Sequence, residues 1–196
     1  MRPWIVYTNF VKTSEIVNLK MAKKNYKLKK IYSNNKAGIF LVEFDHPYLL
    51  AMTFLRYQEY YESDNSAFKG KEFTILDYIE WYSKKNNNCF TYPNDWVGFN
   101  VPDWVIAENL KTIIDYNKYD LCMRSIYLEI KKHKCDMFYL IGTCKNQEDV
   151  KHHEIAHGMY YISKEYREEM DMLYSYIPEN YIKKIAWNSK KFNQTI

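Results

Sequence analysis

The chain has 196 residues with 28 Lys+Arg against 24 Asp+Glu, a formal charge of +4, and 47% hydrophobic residues, which argues for one folded domain and against a disordered or many-span membrane chain. Its five glycines, Gly38, Gly70, Gly98, Gly142 and Gly158, never lie closer than 16 positions. That spacing excludes a G-x-x-x-x-G-K-[ST] phosphate cradle, a G-x-G-x-x-G turn and a G-x-S-x-G elbow. The cysteines Cys89, Cys122, Cys135 and Cys144 contain no C-x-x-C pair and read as reduced thiols. No signal-peptide core and no 18-residue uncharged run is present, so the expected location is the cytosol, with no membrane partner.

The basic excess is almost wholly lysine, and specific phosphate or base recognition leans on the bidentate fork of arginine. Nucleic acid is therefore a secondary expectation, resting on Lys20, Lys23, Lys24, Lys27, Lys29 and Lys30 with Tyr26 among them. The plain reading of that run is a solvated helix or loop, whereas a strand would be unexpected there.

In chain order, the apolar run of residues 37 to 45, AGIFLVEFD, predicts a buried strand. Pro47 suits a helical first turn, and Leu49, Leu50, Met52, Thr53, Leu55, Tyr57, Tyr60 and Tyr61 extend that helix to about residue 62. Thr74 with Asp77 makes a capping box for a helix burying Ile75, Leu76, Ile79 and Tyr82, which ends in the polar loop Lys84-Lys85-Asn86-Asn87-Asn88. Residues 89 to 102, CFTYPNDWVGFNVP, combine two prolines with four large rings, and predict an irregular segment that either folds onto the core or walls a pocket. Helices follow over 103 to 115 and 119 to 133.

The apolar strand from Met137 to Gly142 then precedes a helix capped by Asn146, with Asp149 three residues on. A further helix covers Glu165 to Tyr174 after Ser163, and Pro178 opens a terminal one with Tyr181, Ile182 and Ile185. Together these elements predict an α+β, mainly helical single domain over residues 1–196 with a small sheet. Residues 1–88 hold helices and a strand, and residues 89–196 carry the chemistry.

That chemistry sits at His153-Glu154-Ile155-Ala156-His157, an H-E-x-x-H sequence on a helix. Positions i and i+4 share one helical face, so two imidazoles can converge on one ion at about 2.0–2.1 Å per nitrogen. The carboxylate between them can take a proton from an attacking water and return it to a leaving group. The motif, with neutral Val150, Ile155, Ala156, Gly158 and Met159 around it, resembles the active helix of the zincin metallopeptidases. Lys151 departs from that pattern, being charged where zincins prefer a neutral residue.

The resemblance implies a zinc cofactor held by His153 and His157, Glu154 as general base, and a peptide or protein substrate lying along an edge strand that precedes the helix. Metzincins are excluded, because Tyr160 and Ser163 stand where H-x-x-G-x-x-H would place glycine and histidine. A gluzincin-like acid is the expected third ligand. If two helices form a tight hairpin near residue 163, Glu168 falls opposite His157, with Glu165 and Glu169 beside it; His133 or His46 are the upstream alternatives. His152 reads as a helix-surface residue. Two other readings stay open: a binding protein without metal, whose partner is a protein or single-stranded nucleic acid, and zinc as a structural clasp without turnover.

Overall fold

A computed structural model describes residues 26–34 and 36–181. Lys20, Lys23 and Lys24 of the lysine run, and Ile182 and Ile185 of the expected terminal helix, lie outside these residues. The described chain is a mainly helical α+β structure with four strands and seven helices: β1 (Tyr26–Ser33), β2 (Ala37–Phe44), α1 (Pro47–Glu62), α2 (Ile75–Lys85), α3 (Tyr92–Asp95), β3 (Gly98–Pro102), α4 (Asp103–Thr112), α5 (Lys118–Lys131), β4 (Met137–Cys144), α6 (Glu148–Ile162) and α7 (Lys164–Ser175). Among the described residues no helix is long and apolar enough to cross a membrane.

The sheet order is β1-β2-β4-β3. β1 runs antiparallel to β2, β2 parallel to β4 with Phe40 opposite Leu140, and β3 antiparallel to β4 with Val101 opposite Leu140. β2 is apolar at nearly every position because helices cover both faces of this inner strand. On one face Phe40, Val42, Phe44, Phe99, Val101, Phe138 and Leu140 pack against α1, α4 and α5 through Phe54, Leu55, Val105, Ile106, Met123 and Ile126. On the other, Ile39, Leu41, Tyr139 and Ile141 meet Ile155, Met159, Tyr161 and Ile162 from the segment carrying α6. Gly158 permits that approach, since a Cβ there would lie 3.1 Å from Ile39 Cδ1.

Four expectations need correction. Leu76, expected on the buried side of α2, is 69% exposed. β4 is an inner strand, paired on both sides, so the helix that follows it does not follow an edge strand, and a substrate cannot add main chain to main chain along Phe138 to Thr143. The edges are β1 and β3, and on β3 the Asn100 N–H is already held by Gln58 Oε1 at 3.0 Å. Asn146 does not cap α6: it takes a left-handed turn at φ 64° and the helix starts after Gln147, without a side-chain cap. The ring-rich segment 89 to 102 folds onto the core, as one of its two readings has it, with Tyr92 and Phe99 fully buried, but it is not irregular throughout: it contains α3 and β3.

Inside the core, Arg56 of α1 is buried against Asp120 of α5, with Nε 3.1 Å from Oδ1. It also donates to Asp115 and to the Phe73 carbonyl, each at 2.6 Å. The same Asp120 closes a capping box with Asn117 at the start of α5.

Candidate metal centre and its carboxylate

α6 lies across β4 and β3, and its sequence puts different residue types on different faces. Lys151, Glu154 and Gly158 face the sheet and are buried, while His152, His153 and His157 are exposed. Lys151, the residue that breaks the zincin pattern, anchors the helix: its Nζ sits 2.8 Å from Glu43 of β2 and 2.5 Å from Glu148. Burial raises the Glu43 carboxyl, but Lys151 and Lys29 outweigh it and hold the group below the usual carboxylate range.

His153 and His157 converge as their spacing requires. Their Nε2 atoms share a hydrogen bond at 3.1 Å, one ring donating to the other, and their ring centroids are 4.8 Å apart. Two imidazole nitrogens bound to one tetrahedral ion at about 2.0–2.1 Å each would be separated by about 3.3 Å, close to the separation found here.

Glu154 is only 7% exposed. It is rotated about 60° around the helix from His157 and points toward β3. Asn100 Nδ2 donates to Glu154 Oε2 at 2.5 Å, and Tyr139 Oη donates to Asn100 Oδ1 at 2.5 Å. Oε1 rests over Gly98, where a Cβ would come within 2.5 Å of it. Sequence periodicity does not reveal Asn100, Tyr139 or Gly98 as part of this site. The available signal is an amide set between Phe99 and Val101 in an apolar run, since a buried amide must find partners.

A second carboxylate stands near. Glu62, the last residue of α1, accepts from Gln58 Nε2 at 2.8 Å. Burial pushes its carboxyl up, His157 pulls it down, and Glu154 raises it, so Glu62 senses both residues of the motif.

The expected third ligand sits elsewhere. Ser163 ends α6 and caps α7 by accepting from the Tyr166 N–H, so the helical hairpin forms at the anticipated place. The bonds across it run from Tyr160 Oη to Asp171 at 2.7 Å and from Arg167 to the Tyr160 carbonyl at 2.7 Å. Glu168 is exposed and pairs with Lys164 of its own helix at 3.4 Å, Glu165 accepts from Ser163 Oγ at 3.1 Å, and Glu169 is exposed. His133 packs against Phe40 with ring centroids 5.1 Å apart and the rings tilted, so it contacts the sheet face away from α6, and His46 is the residue before α1. Among the described residues, no three His, Cys, Asp or Glu side chains come together as a metal-binding group.

Tyr26 of the lysine run is tied to Ser125 at 3.3 Å and Lys29 to Glu43 at 2.5 Å, which leaves a smaller free basic surface on β1 than the composition implies.

No protein-family model, no curated protein and no solved structure matches the chain.

Proposed function

We propose that the chain is a zinc-dependent hydrolase of zincin type that cleaves peptide bonds, with His153 and His157 as metal ligands and Glu154 as general base. The observation that carries this reading is the 3.1 Å approach of the two Nε2 atoms on one exposed helix face, beside a carboxylate of the same helix. Zinc held there would supply a Lewis acid and bring the pKa of water to about 7. The chain's own groups then divide the work. The imidazoles orient the ion, and Glu154, with Oε2 fixed by Asn100, accepts a proton and returns it to the leaving amine.

A second reading, zinc as a clasp without turnover, is favoured by one observation: the Glu154 carboxylate is turned to the sheet and engaged by Asn100.

Elemental analysis of the purified chain tests the site. About one zinc per chain in the parent and little in His157→Ala supports it, and no metal in either after zinc is supplied overturns it. Glu154→Gln separates the two readings. Loss of casein hydrolysis with zinc retained supports the peptidase, whereas an active Glu154→Gln protein refutes the mechanism.

A further inference from the structure

We propose that the zinc of His153 and His157 is shared with a second copy of this chain, so that two α6 helices supply four imidazoles to one ion on a two-fold axis. The inference rests on the assignment of these two histidines as zinc ligands and takes the clasp reading of the site, without turnover; it adds the partner that completes the coordination.

The chain by itself leaves the ion half-coordinated. Structural zinc takes four ligands, and α6 offers two, with Nε2 atoms 3.1 Å apart. Asp149, one turn before His153, is exposed, and Glu62 acts on His157 through space. Neither joins the pair, because among the described residues no three His, Cys, Asp or Glu side chains form a metal-binding group. The Glu154 carboxylate is buried and engaged by Asn100. The rest of the sequence has little to add: all five histidines and all four cysteines fall within the described residues, and Glu15 is the only acidic side chain outside them.

The open half of the coordination faces outward. His153 and His157 are exposed, on the side of α6 away from Lys151, Glu154 and Gly158, which pack on the sheet. A second copy is the partner whose ligand geometry is already fixed. It brings the same two nitrogens at the same spacing, and a two-fold axis through the ion turns one pair into the four donors of a tetrahedron. The stripe of α6 that carries the pair, Asp149, His153, Ala156, His157 and Tyr160, is exposed along its length and contains no lysine or arginine to repel the ion or its own copy. Filling all four positions makes a closed, structural site, whereas a catalytic one keeps a position open. The buried Glu154 carboxylate agrees with this, since a closed site has no use for a base.

Light scattering with elemental analysis tests the sharing, on the full chain stripped with EDTA and then titrated with zinc chloride. Without zinc the mass should be that of one chain, 23.9 kDa. With zinc it should double, at about one zinc per two chains. His153→Ala and His157→Ala, both at exposed positions where truncation spares the core, should stay at the single-chain mass in zinc, while His152→Ala should double like the parent. About one zinc per chain at the single-chain mass overturns the shared site and leaves the zinc reading of the pair intact. Doubling that survives His157→Ala, or that occurs without zinc, also overturns it. No zinc uptake in the parent overturns both together.

Discussion

Lys151 of α6 reaches Glu43 of β2 at 2.8 Å, and both side chains are at least nine-tenths buried. This ion pair puts a lysine where the zincin pattern asks for a neutral residue. The position faces a sheet that carries a carboxylate, so a neutral side chain would leave Glu43 with Lys29 alone. Lys151→Met should destabilise the fold by about 1–2 kcal/mol, the cost of a buried charge that has lost one partner. Urea denaturation at pH 7 measures it. Glu43 titrates below its unfolded value, so the parent loses this contribution as pH falls through the acid range, and the gap between parent and variant should narrow there. An undiminished gap at low pH would count against the pair as its source.

Arg56 holds α1 to α5 and to the segment before α2 through a planar fork that meets Asp120, Asp115 and the Phe73 carbonyl. Arg56→Met should cost about 3–5 kcal/mol, because it strands a buried carboxylate. Arg56→Lys should also destabilise, since one ammonium cannot serve three acceptors so arranged. Thermal melts of the two variants give the order, with Lys falling between Arg and Met.

Glu62 and Glu168 make opposite predictions for metal affinity. Glu168 is paired with Lys164 and is not grouped with the imidazoles, so Glu168→Gln should leave zinc affinity unchanged. Glu62 is exposed and interacts with His157 only through space, so on the zinc reading Glu62→Gln should weaken zinc by at most about fivefold, the ceiling of an exposed charge pair worth about 1 kcal/mol. Competition titrations against a chromogenic chelator report both; the reverse order would return Glu168 to the site.

Gly98 lies under Glu154 and Val150, whose atoms would stand 2.5 and 2.6 Å from a Cβ. Gly98→Ala must displace the Glu154 carboxylate and the Val150 methyl, and should cost about 1–3 kcal/mol by overpacking. The same shift disturbs the Asn100 to Glu154 bond, so on the proposed hydrolase reading hydrolysis should fall beyond what the lost stability explains. Activity measured well below the melting temperature distinguishes the two effects.

Alkali should unfold the protein from about pH 10, where tyrosine ionises in an unfolded chain. Burial pushes the Tyr26 and Tyr161 phenols up to about 12, and the Cys122 thiol likewise to about 12. Between their unfolded and folded values the unfolded chain releases protons that the folded chain keeps, so stability falls as pH rises. Melting temperatures followed from neutral pH into alkali should drop steadily above about pH 10, and Tyr26→Phe should flatten that slope to some extent.

What the sequence determined by itself is what local physics can specify. Pro47 opens α1, Thr74 and Asp77 form a complete capping box, and Ser163 separates α6 from α7, because each depends on residues within one turn of one another. Asn87 and Asn88 take left-handed conformations at the expected asparagine loop for the same reason. The convergence of His153 and His157 is equally local, a direct consequence of helical spacing.

The tertiary structure decided everything that joins distant segments. The pairing of β4 on both sides made it an inner strand and closed the expected substrate edge. Packing drew residues 89 to 102 into α3 and β3, and the turn before α6 left Asn146 without a cap. Asn100 meets Glu154 across 54 residues and Tyr139 across 39, separations at which hydrophobic period and cap chemistry carry no information. The motif therefore sets His153, Glu154 and His157 on one helix by local spacing, while the sheet beneath supplies the Asn100 amide that meets the Glu154 carboxylate.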